Sequence, residues 1–145
     1  MKIEVRRLSP EAILPTYAKQ GDSGLDLHSV EKTVLEPGEV RAVGTGIAVA
    51  IPDGYEGQVR PRSGLSCLGI IAIPGTIDSG YRGEIKAILH NVDDCAYLVR
   101  QGDRIAQLVI APVVKAELVE VDVLNETERG TDGFGSTGVR GGDES

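Results

Sequence analysis

A Gly-rich stretch in the middle of the chain holds a carboxylate and a phenol close together. It reads Pro74-Gly75-Thr76-Ile77-Asp78-Ser79-Gly80-Tyr81-Arg82-Gly83-Glu84. A carboxylate in a tight loop can orient and deprotonate a water molecule, which is the role of a general base. The flat ring of Tyr81 can offer a wall to a sugar. The alternative is that Asp78 only caps the turn, as most Asp residues between glycines do.

The second feature lies near the C-terminus, where Phe134, the only Phe of the chain, stands among glycines. Such a segment cannot bury a ring in a core of its own, so the ring suits an external partner. Arg129 adds a planar guanidinium that fits phosphate oxygens, and glycines let backbone N–H groups approach an anion. The segment therefore suits a nucleotide, with the ring on the base. The alternative is a flexible tail with an incidental Phe.

Cations, a hydroxyl and a glycine also fall together in Arg60-Pro61-Arg62-Ser63-Gly64-Leu65-Ser66. A strand-to-turn junction of this kind can present guanidinium, O–H and N–H groups to one phosphate chain. The alternative is a surface turn with two arginines. Two shorter stretches, 21–27 and 102–109, look singly like turns entering strands. Asp26 in the first could hold a hydrated Mg²⁺ on a triphosphate, because this ion keeps several waters and takes few protein ligands.

Charge and residue usage exclude several classes of function. The formal net charge is -7 and the pI about 4.8, which argues against binding nucleic acid or acidic lipid through bulk electrostatics. The only His and Cys residues, His28, His90, Cys67 and Cys95, have neither the spacing of a zinc cluster nor the makings of a Ser-His-Asp triad. If the protein is a hydrolase, these absences favour direct attack of water on the substrate over a covalent enzyme intermediate. Reduced thiols and the lack of an opening apolar span predict a cytoplasmic protein.

The elements that must position these residues are short strands. A chain of 145 residues makes one ordinary domain, and its 19 glycines and 7 prolines are scattered between short apolar runs. Strand patterns cover Met1–Leu8, Thr33–Leu35, Val40–Val43, Ile47–Ile51, Gly57–Val59, Glu84–Asn91, Ala96–Val99, Arg104–Pro112 and Ala116–Val123. Only Ser63–Leu68 predicts a turn or two of helix. We therefore predict an all-β sandwich, jelly roll or barrel over residues 1–124 and a flexible arm over 125–145.

Together the five segments, in this order and spacing, resemble the five sequence motifs of the trimeric dUTPase family from about Gly21 to Gly138. The resemblance implies a distorted jelly-roll-like β-barrel and a homotrimer with active sites at subunit junctions. The C-terminal arm of one subunit would close over a site made by the other two. The implied activity is hydrolysis of dUTP to dUMP and pyrophosphate with Mg²⁺, which limits uracil incorporation into DNA and supplies dUMP for dTMP synthesis.

The same resemblance implies a role for each matching residue. Asp78 resembles the general base that activates water against the α-phosphorus, and Tyr81 the residue that packs on deoxyribose and excludes a 2′-hydroxyl. Asp26 resembles the partner that holds Mg²⁺ through water. The other implied substrate contacts are Arg62, Ser63, Gly64 and Gln107 on the phosphate chain, the backbone of Thr76 and Ile77 on the uracil edge, Lys86 at a further contact, Arg129 on the γ-phosphate, Phe134 stacked on uracil, and Gly135 and Ser136 donating to the phosphates.

One segment departs from the family pattern. Residues 67–73, between Ser66 and Pro74, make a stretch a few residues shorter than the family usually has, and it lacks the Asn often found shortly before Pro74-Gly75. That Asn commonly helps to read uracil, and losing one hydrogen bond costs about 0.5–1.5 kcal/mol. We expect weakened base discrimination and the same substrate class.

Two other functions fit part of the pattern. The related dCTP deaminase family shares the fold and the trimer, but it needs a Glu placed for deamination and differs in the segment matching residues 60–68. A non-catalytic binding trimer could also keep the scaffold. Against it stands the joint presence of a base, a sugar wall, a cation and a stacking ring, namely Asp78, Tyr81, Arg129 and Phe134.

Overall fold

The computed structural model of the chain describes residues 1–139 and is built almost wholly from short antiparallel strands. Its elements are β1 (Glu4–Arg7), β2 (Leu25–His28), β3 (Thr33–Leu35), β4 (Val40–Gly44), β5 (Ile47–Ala50), β6 (Tyr55–Arg60), α1 (Ser63–Ser66), β7 (Ile70–Ile73), β8 (Gly75–Ile77), β9 (Lys86–Asn91), β10 (Tyr97–Val99) and β11 (Arg104–Pro112). The all-β prediction is confirmed. None of the helices in this described part is long and apolar enough to cross a membrane.

Two sheets carry most of the structure. One has four strands in the order β2-β11-β6-β8, and the other has three in the order β4-β9-β7. The pairs β1-β5 and β10-β3 complete the described strands. Buried side chains from both larger sheets, such as Leu27, Val59 and Leu108 from the first and Val43 and Leu89 from the second, belong to one hydrophobic cluster. The fold is therefore a jelly-roll-like arrangement around a single core.

Alternation along β9 shows how sequence period sets the faces. Its burial switches at almost every residue, with Ala87, Leu89 and Asn91 inside and Lys86 and Ile88 outside, as a strand with one buried face requires. The buried Asn91 donates through Nδ2 to the carbonyls of Leu35 (2.9 Å) and Cys95 (2.8 Å). These bonds satisfy a polar side chain that would otherwise cost free energy in the core.

Several sequence predictions match these elements closely. β3 and β11 have the predicted bounds, β1 is shorter than the predicted 1–8, and the predicted helical turn is α1. The strand patterns did not include β7 and β8, and β2 was expected only as the strand entered by the turn of residues 21–27. The strand predicted over Ala116–Val123 is wrong, because no strand forms there in the described chain. Its alternating apolar side chains, Leu118 and Val123 among them, are exposed. The alternation indicates that the segment has an apolar face, but it does not show which strand the segment could pair with.

The chain divides into two compact units, Met1–Lys115 and a second from Ala116 onward. The predicted division into a core of residues 1–124 and an arm of residues 125–145 stays a prediction. Residues 140–145 of that arm lie outside the described residues.

Candidate functional site

Asp78 directly follows β8, at the edge of the four-stranded sheet. β8 is hydrogen-bonded to β6 on one side, in the register Gly57↔Ile77 and Gln58↔Thr76, and its other side has no strand among residues 1–139. An edge strand offers N–H and C=O groups to a further partner. After β8 the chain turns, and the Tyr81 N–H donates to the Asp78 carbonyl at 3.0 Å. The carboxylate therefore sits in a defined turn next to a strand edge.

A cavity of about 310 Å³ opens beside this turn. Its lining combines the predicted base and sugar wall with acidic, basic and apolar groups. The lining residues are Ala42, Thr76, Ile77, Asp78, Tyr81, Glu84, Lys86 and Ile88. All five predicted residues of this region, 76–78, 81 and 86, thus line one cavity. Apolar walls and a few polar groups are the usual makeup of a small-molecule site.

The predicted phosphate contacts line a second cavity of about 250 Å³. Its members come from β2 and the segment before it, from the start of α1 and from β11. They are Ala18, Asp22, Ser23, Gly24, Asp26, Arg62, Ser63, Gly64 and Gln107. The first backbone bonds of α1 run from Leu65 and Ser66 to the Arg62 carbonyl, at 3.1 and 2.9 Å. The N–H groups of Ser63 and Gly64 precede these bonds, so the helix itself leaves them unused.

Asp26 stands between two guanidinium groups. Its Oδ1 lies 3.0 Å from Arg62 Nε, and its Oδ2 lies 3.5 Å from Arg104 Nη1. The whole residue is only 8% exposed. Both carboxylate oxygens face cations, which suits an ion held through a water molecule better than one bound directly. Arg62 is the one cation of the cavity lining, which also holds Asp22 and Asp26, and Arg104 compensates part of this negative charge by pairing with Asp26 from outside the lining.

His28, two residues along β2, faces the same charged group. Burial lowers the pKa of His28 below its ordinary value, and the nearby guanidiniums of Arg104 and Arg62 lower the pKa further, while Asp26 opposes the shift. Its Nδ1 is buried without a hydrogen-bond partner among the described residues. Burial and the two guanidiniums thus disfavour the charged imidazole, and His28 is the last residue of β2.

Gln107 reaches the phosphate cavity from β11. Its Nε2 donates to the Pro61 carbonyl at 2.9 Å, which holds the side chain beside Arg62. The close approach depends on Gly24, because a β-carbon there would lie 2.3 Å from Gln107 Oε1. No role for Gly24 was expected from the sequence. A glycine two residues before the candidate metal-holding carboxylate was the only available signal.

The predicted nucleotide contacts of the C-terminal segment line an open cavity of their own, of about 750 Å³. Successive turns shape the segment, with the Asp132 N–H donating to the Arg129 carbonyl at 3.0 Å and the Ser136 N–H to the Gly133 carbonyl at 3.1 Å. Phe134 is fully exposed and has a left-handed backbone with φ 51°. A bulky residue pays conformational energy in that region. The lining includes all four predicted residues, Arg129, Phe134, Gly135 and Ser136.

The sequence-predicted residues thus fall into three separate groups. Asp78 and Tyr81 line one cavity, Arg62 and Gln107 another, and Phe134 a third in the second unit. Among the described residues, one set of three side chains could jointly ligate a metal, Asp93, Asp94 and Cys95, and all three are exposed. This set includes none of the predicted site residues.

Three residues near the predicted site were not found from sequence. Arg104 pairs with Asp26, and Glu84 lines the cavity of Asp78. Arg82 donates through Nη1 to the carbonyls of Ser79 (2.7 Å) and Tyr81 (2.9 Å), which braces the turn. Each belongs to a quoted motif, but only the folded chain shows what it contacts.

Comparison with known proteins gives a consistent result. The dUTPase family model matches residues 10–138. The deoxyuridine 5'-triphosphate nucleotidohydrolase of Nautilia profundicola is 50% identical over 141 residues, covering 95% of this chain and 99% of that protein. The one of Thermobifida fusca is 52% identical over 142 residues, covering 95% of this chain and 79% of that protein.

Solved structures resemble the chain over nearly its whole length. The Staphylococcus bacteriophage 80alpha dUTPase with dUPNHPP has a TM-score of 0.91 and 34% identity, covering 95% of this chain and 99% of that one. A mutant dUTPase from phage phi11 of S. aureus, described as coordinating a structural Mg(II) ion, has a TM-score of 0.82 and 31% identity, covering 87% of this chain and 100% of that one.

Proposed function

The chain belongs to the dUTPase family and hydrolyses dUTP to dUMP and pyrophosphate, and we propose that Asp78 is the general base of this reaction. The observation that carries the proposal is the placement of Asp78 in a braced turn that shares one cavity with Tyr81 and with the edge of β8. A carboxylate there can take a proton from water as the oxygen attacks the α-phosphorus. Pyrophosphate then leaves without a covalent intermediate.

The base and sugar would be read at the β8 edge. The unpaired side of Thr76 and Ile77 offers backbone groups to the uracil edge in the way that a further strand would pair. Donor and acceptor positions would then reject cytosine, and lack of room would reject the methyl group of thymine. Tyr81 would lie on the deoxyribose, where its bulk leaves no room for a 2′-hydroxyl. Lys86, in the same cavity, would supply a further contact.

The triphosphate would be held at the second cavity. Arg62, Ser63, Gly64 and Gln107 line this cavity together, and charge-assisted hydrogen bonds from a guanidinium and from backbone N–H groups bind phosphate strongly. Asp26 would hold Mg²⁺ through water. When bound, Mg²⁺ neutralises phosphate charge, which matters for a protein of formal net charge -7.

A homotrimer would join the three groups of residues into complete sites. The outer face of the β4-β9-β7 sheet supports association, because Val40, Ile73 and Ile88 are 53%, 37% and 41% exposed on it. These side chains share the face with Lys86 and His90, and exposed apolar side chains rimmed by polar ones mark interaction surfaces. The arm of one subunit would then close over a site formed by the other two, with Phe134 stacked on uracil and Arg129 on the γ-phosphate. Gly135 and Ser136 would donate to the phosphate chain.

Pyrophosphate release tests the activity directly. The enzyme is given dUTP, dCTP, dTTP and UTP side by side with Mg²⁺, and ammonia is assayed with dCTP. We expect pyrophosphate release predominantly from dUTP and no ammonia. Ammonia from dCTP would favour a deaminase, and release from none of the four would favour a binding trimer. Light scattering on the same sample should give the mass of three chains of 15.3 kDa.

A further inference from the structure

Tyr81 is held by its own loop. Its Oη donates to the Glu84 carbonyl at 3.0 Å, so the ring lies back over the residues between them. A β-carbon on Gly83 would lie 2.4 Å from Oη and 2.5 Å from Cζ, whereas ordinary contacts start at about 3.4 Å. Gly83 does not have a left-handed backbone. The glycine is therefore required for space under the ring and not for its conformation.

Glu84, whose carbonyl accepts this hydrogen bond, is itself held by the turn between β4 and β5. Glu84 Oε1 accepts the Gly46 N–H at 2.9 Å, in the turn between β4 and β5. A β-carbon on Gly44 would lie 2.6 Å from the same oxygen, so the carboxylate fills the space that Gly44 leaves. The next residue, Ile85, donates its N–H to the Ile47 carbonyl at 2.9 Å. The loop end beneath Tyr81 is thus tied to the turn of residues 44–47.

We propose that Gly83 and Glu84 form a seat for Tyr81 that sets the sugar selectivity of the enzyme. This inference rests on the proposed role of Tyr81 as the wall against the 2′ position. The Tyr81 ring excludes a 2′-hydroxyl only if the ring cannot move aside. The selectivity for deoxyribose therefore depends on the contacts that fix the position of the ring. Gly83 and Glu84 are positioning residues for the ring, which both of them touch. Glu84 also lines the cavity and pairs with Lys86 at 3.7 Å, an ion pair that Glu84→Ala and Glu84→Gln both remove, so a difference between these two variants reports on the ring.

Gly83→Ala with Gly80→Ala as its matched control tests the seat. The two glycines lie in the same loop, but a β-carbon on Gly80 would meet nothing within 4 Å. The added methyl on Gly83 must displace the ring by about 1 Å, and misplacement of that size can cost about a hundredfold in rate. We expect kcat/KM for dUTP to fall by about 10- to 100-fold. The dUTP-to-UTP ratio of kcat/KM should also become clearly smaller. Gly80→Ala should keep the parental ratio.

A second pair of variants keeps the test decisive if Gly83→Ala does not fold. Glu84→Ala leaves the Gly46 N–H without its acceptor, whereas Glu84→Gln retains an oxygen at that place. We expect Glu84→Ala to lower the dUTP-to-UTP ratio of kcat/KM and Glu84→Gln to keep that ratio near the parental value. A folded Glu84→Ala or Gly83→Ala enzyme with the parental ratio would overturn the seat.

NMR of the tyrosine rings separates this inference from the proposed function. The Tyr81 ring signals, assigned with Tyr81→Phe, should shift strongly in Gly83→Ala and little in Gly80→Ala. Parental signals in Gly83→Ala would refute the seat whatever the activity. Shifted signals in Gly83→Ala, together with a parent enzyme that does not hydrolyse dUTP, would instead support the seat and refute the proposed function.

Discussion

Replacing Gly24 with alanine should force β2 and β11 apart where the phosphate cavity is built. The new β-carbon would lie 2.3 Å from Gln107 Oε1 and 2.9 Å from Gln107 Cβ. The amide could swing away, but the Cβ contact can be relieved only by moving the strand itself. Overpacking of this kind costs about 1–3 kcal/mol, and the lost bond from Gln107 to the Pro61 carbonyl adds about 0.5–1.5 kcal/mol. We therefore expect a loss of about 1.5–4.5 kcal/mol in the free energy of unfolding.

Urea denaturation at one fixed protein concentration measures this loss, because the stability of an oligomer depends on concentration. With a slope of about 2 kcal/mol per molar urea, the midpoint should fall by about 0.8–2.2 M. The kcat/KM for dUTP should fall as well, since Gln107 leaves its position beside Arg62. Gly80→Ala again serves as control, because nothing lies within 4 Å of its β-carbon. A Gly24→Ala protein with parental midpoint and activity would refute the close packing of Gly24 on Gln107.

Two further outcomes follow from the same structure. Ending the chain after Leu124 should leave a folded trimer, since the compact unit Met1–Lys115 stays complete. Turnover of dUTP should fall by about a hundredfold or more, because the arm is no longer present to exclude water and to supply a cation. Full turnover by the truncated protein would show that the arm has no such role. This chain lacks the Asn that family members often have shortly before the position of Pro74. Its dUTP-to-dCTP ratio of kcat/KM should therefore be about 2- to 13-fold smaller than that of a family member with this Asn, as expected for one lost hydrogen bond. An equal ratio would show that backbone groups alone read the base.

Local patterns predicted the strands whose residues favour strands by themselves. β3 and β11 are rich in β-branched and aliphatic residues and are bounded by turns, so their limits were found from sequence. β8 has only Gly75, Thr76 and Ile77, and its pairing with β6 is a property of the sheet. The stretch 116–123 has the opposite problem, because its alternation is clear but no edge in the described chain pairs with it.

The candidate site shows the same division between local and distant information. A carboxylate between glycines identified Asp78, and a lone ring among glycines identified Phe134. Spacing could not show that Asp26 would pair with both Arg62 and Arg104, because these residues meet only when β2, β11 and the start of α1 come together. Nor could it show that the predicted residues would divide among three cavities, since completing the site requires more than one chain in the account proposed above.

Hydrolysis of dUTP depends, by the proposed mechanism, on one claim: that the Asp78 carboxylate activates the attacking water. Asp78→Asn keeps the size of the side chain and removes its ability to accept a proton. We expect single-turnover pyrophosphate release from dUTP to fall by at least about 10²-fold, the range typical of a lost general base, while the variant remains trimeric and still binds a non-hydrolysable dUTP analogue. Parental release rates by Asp78→Asn would contradict the claim outright.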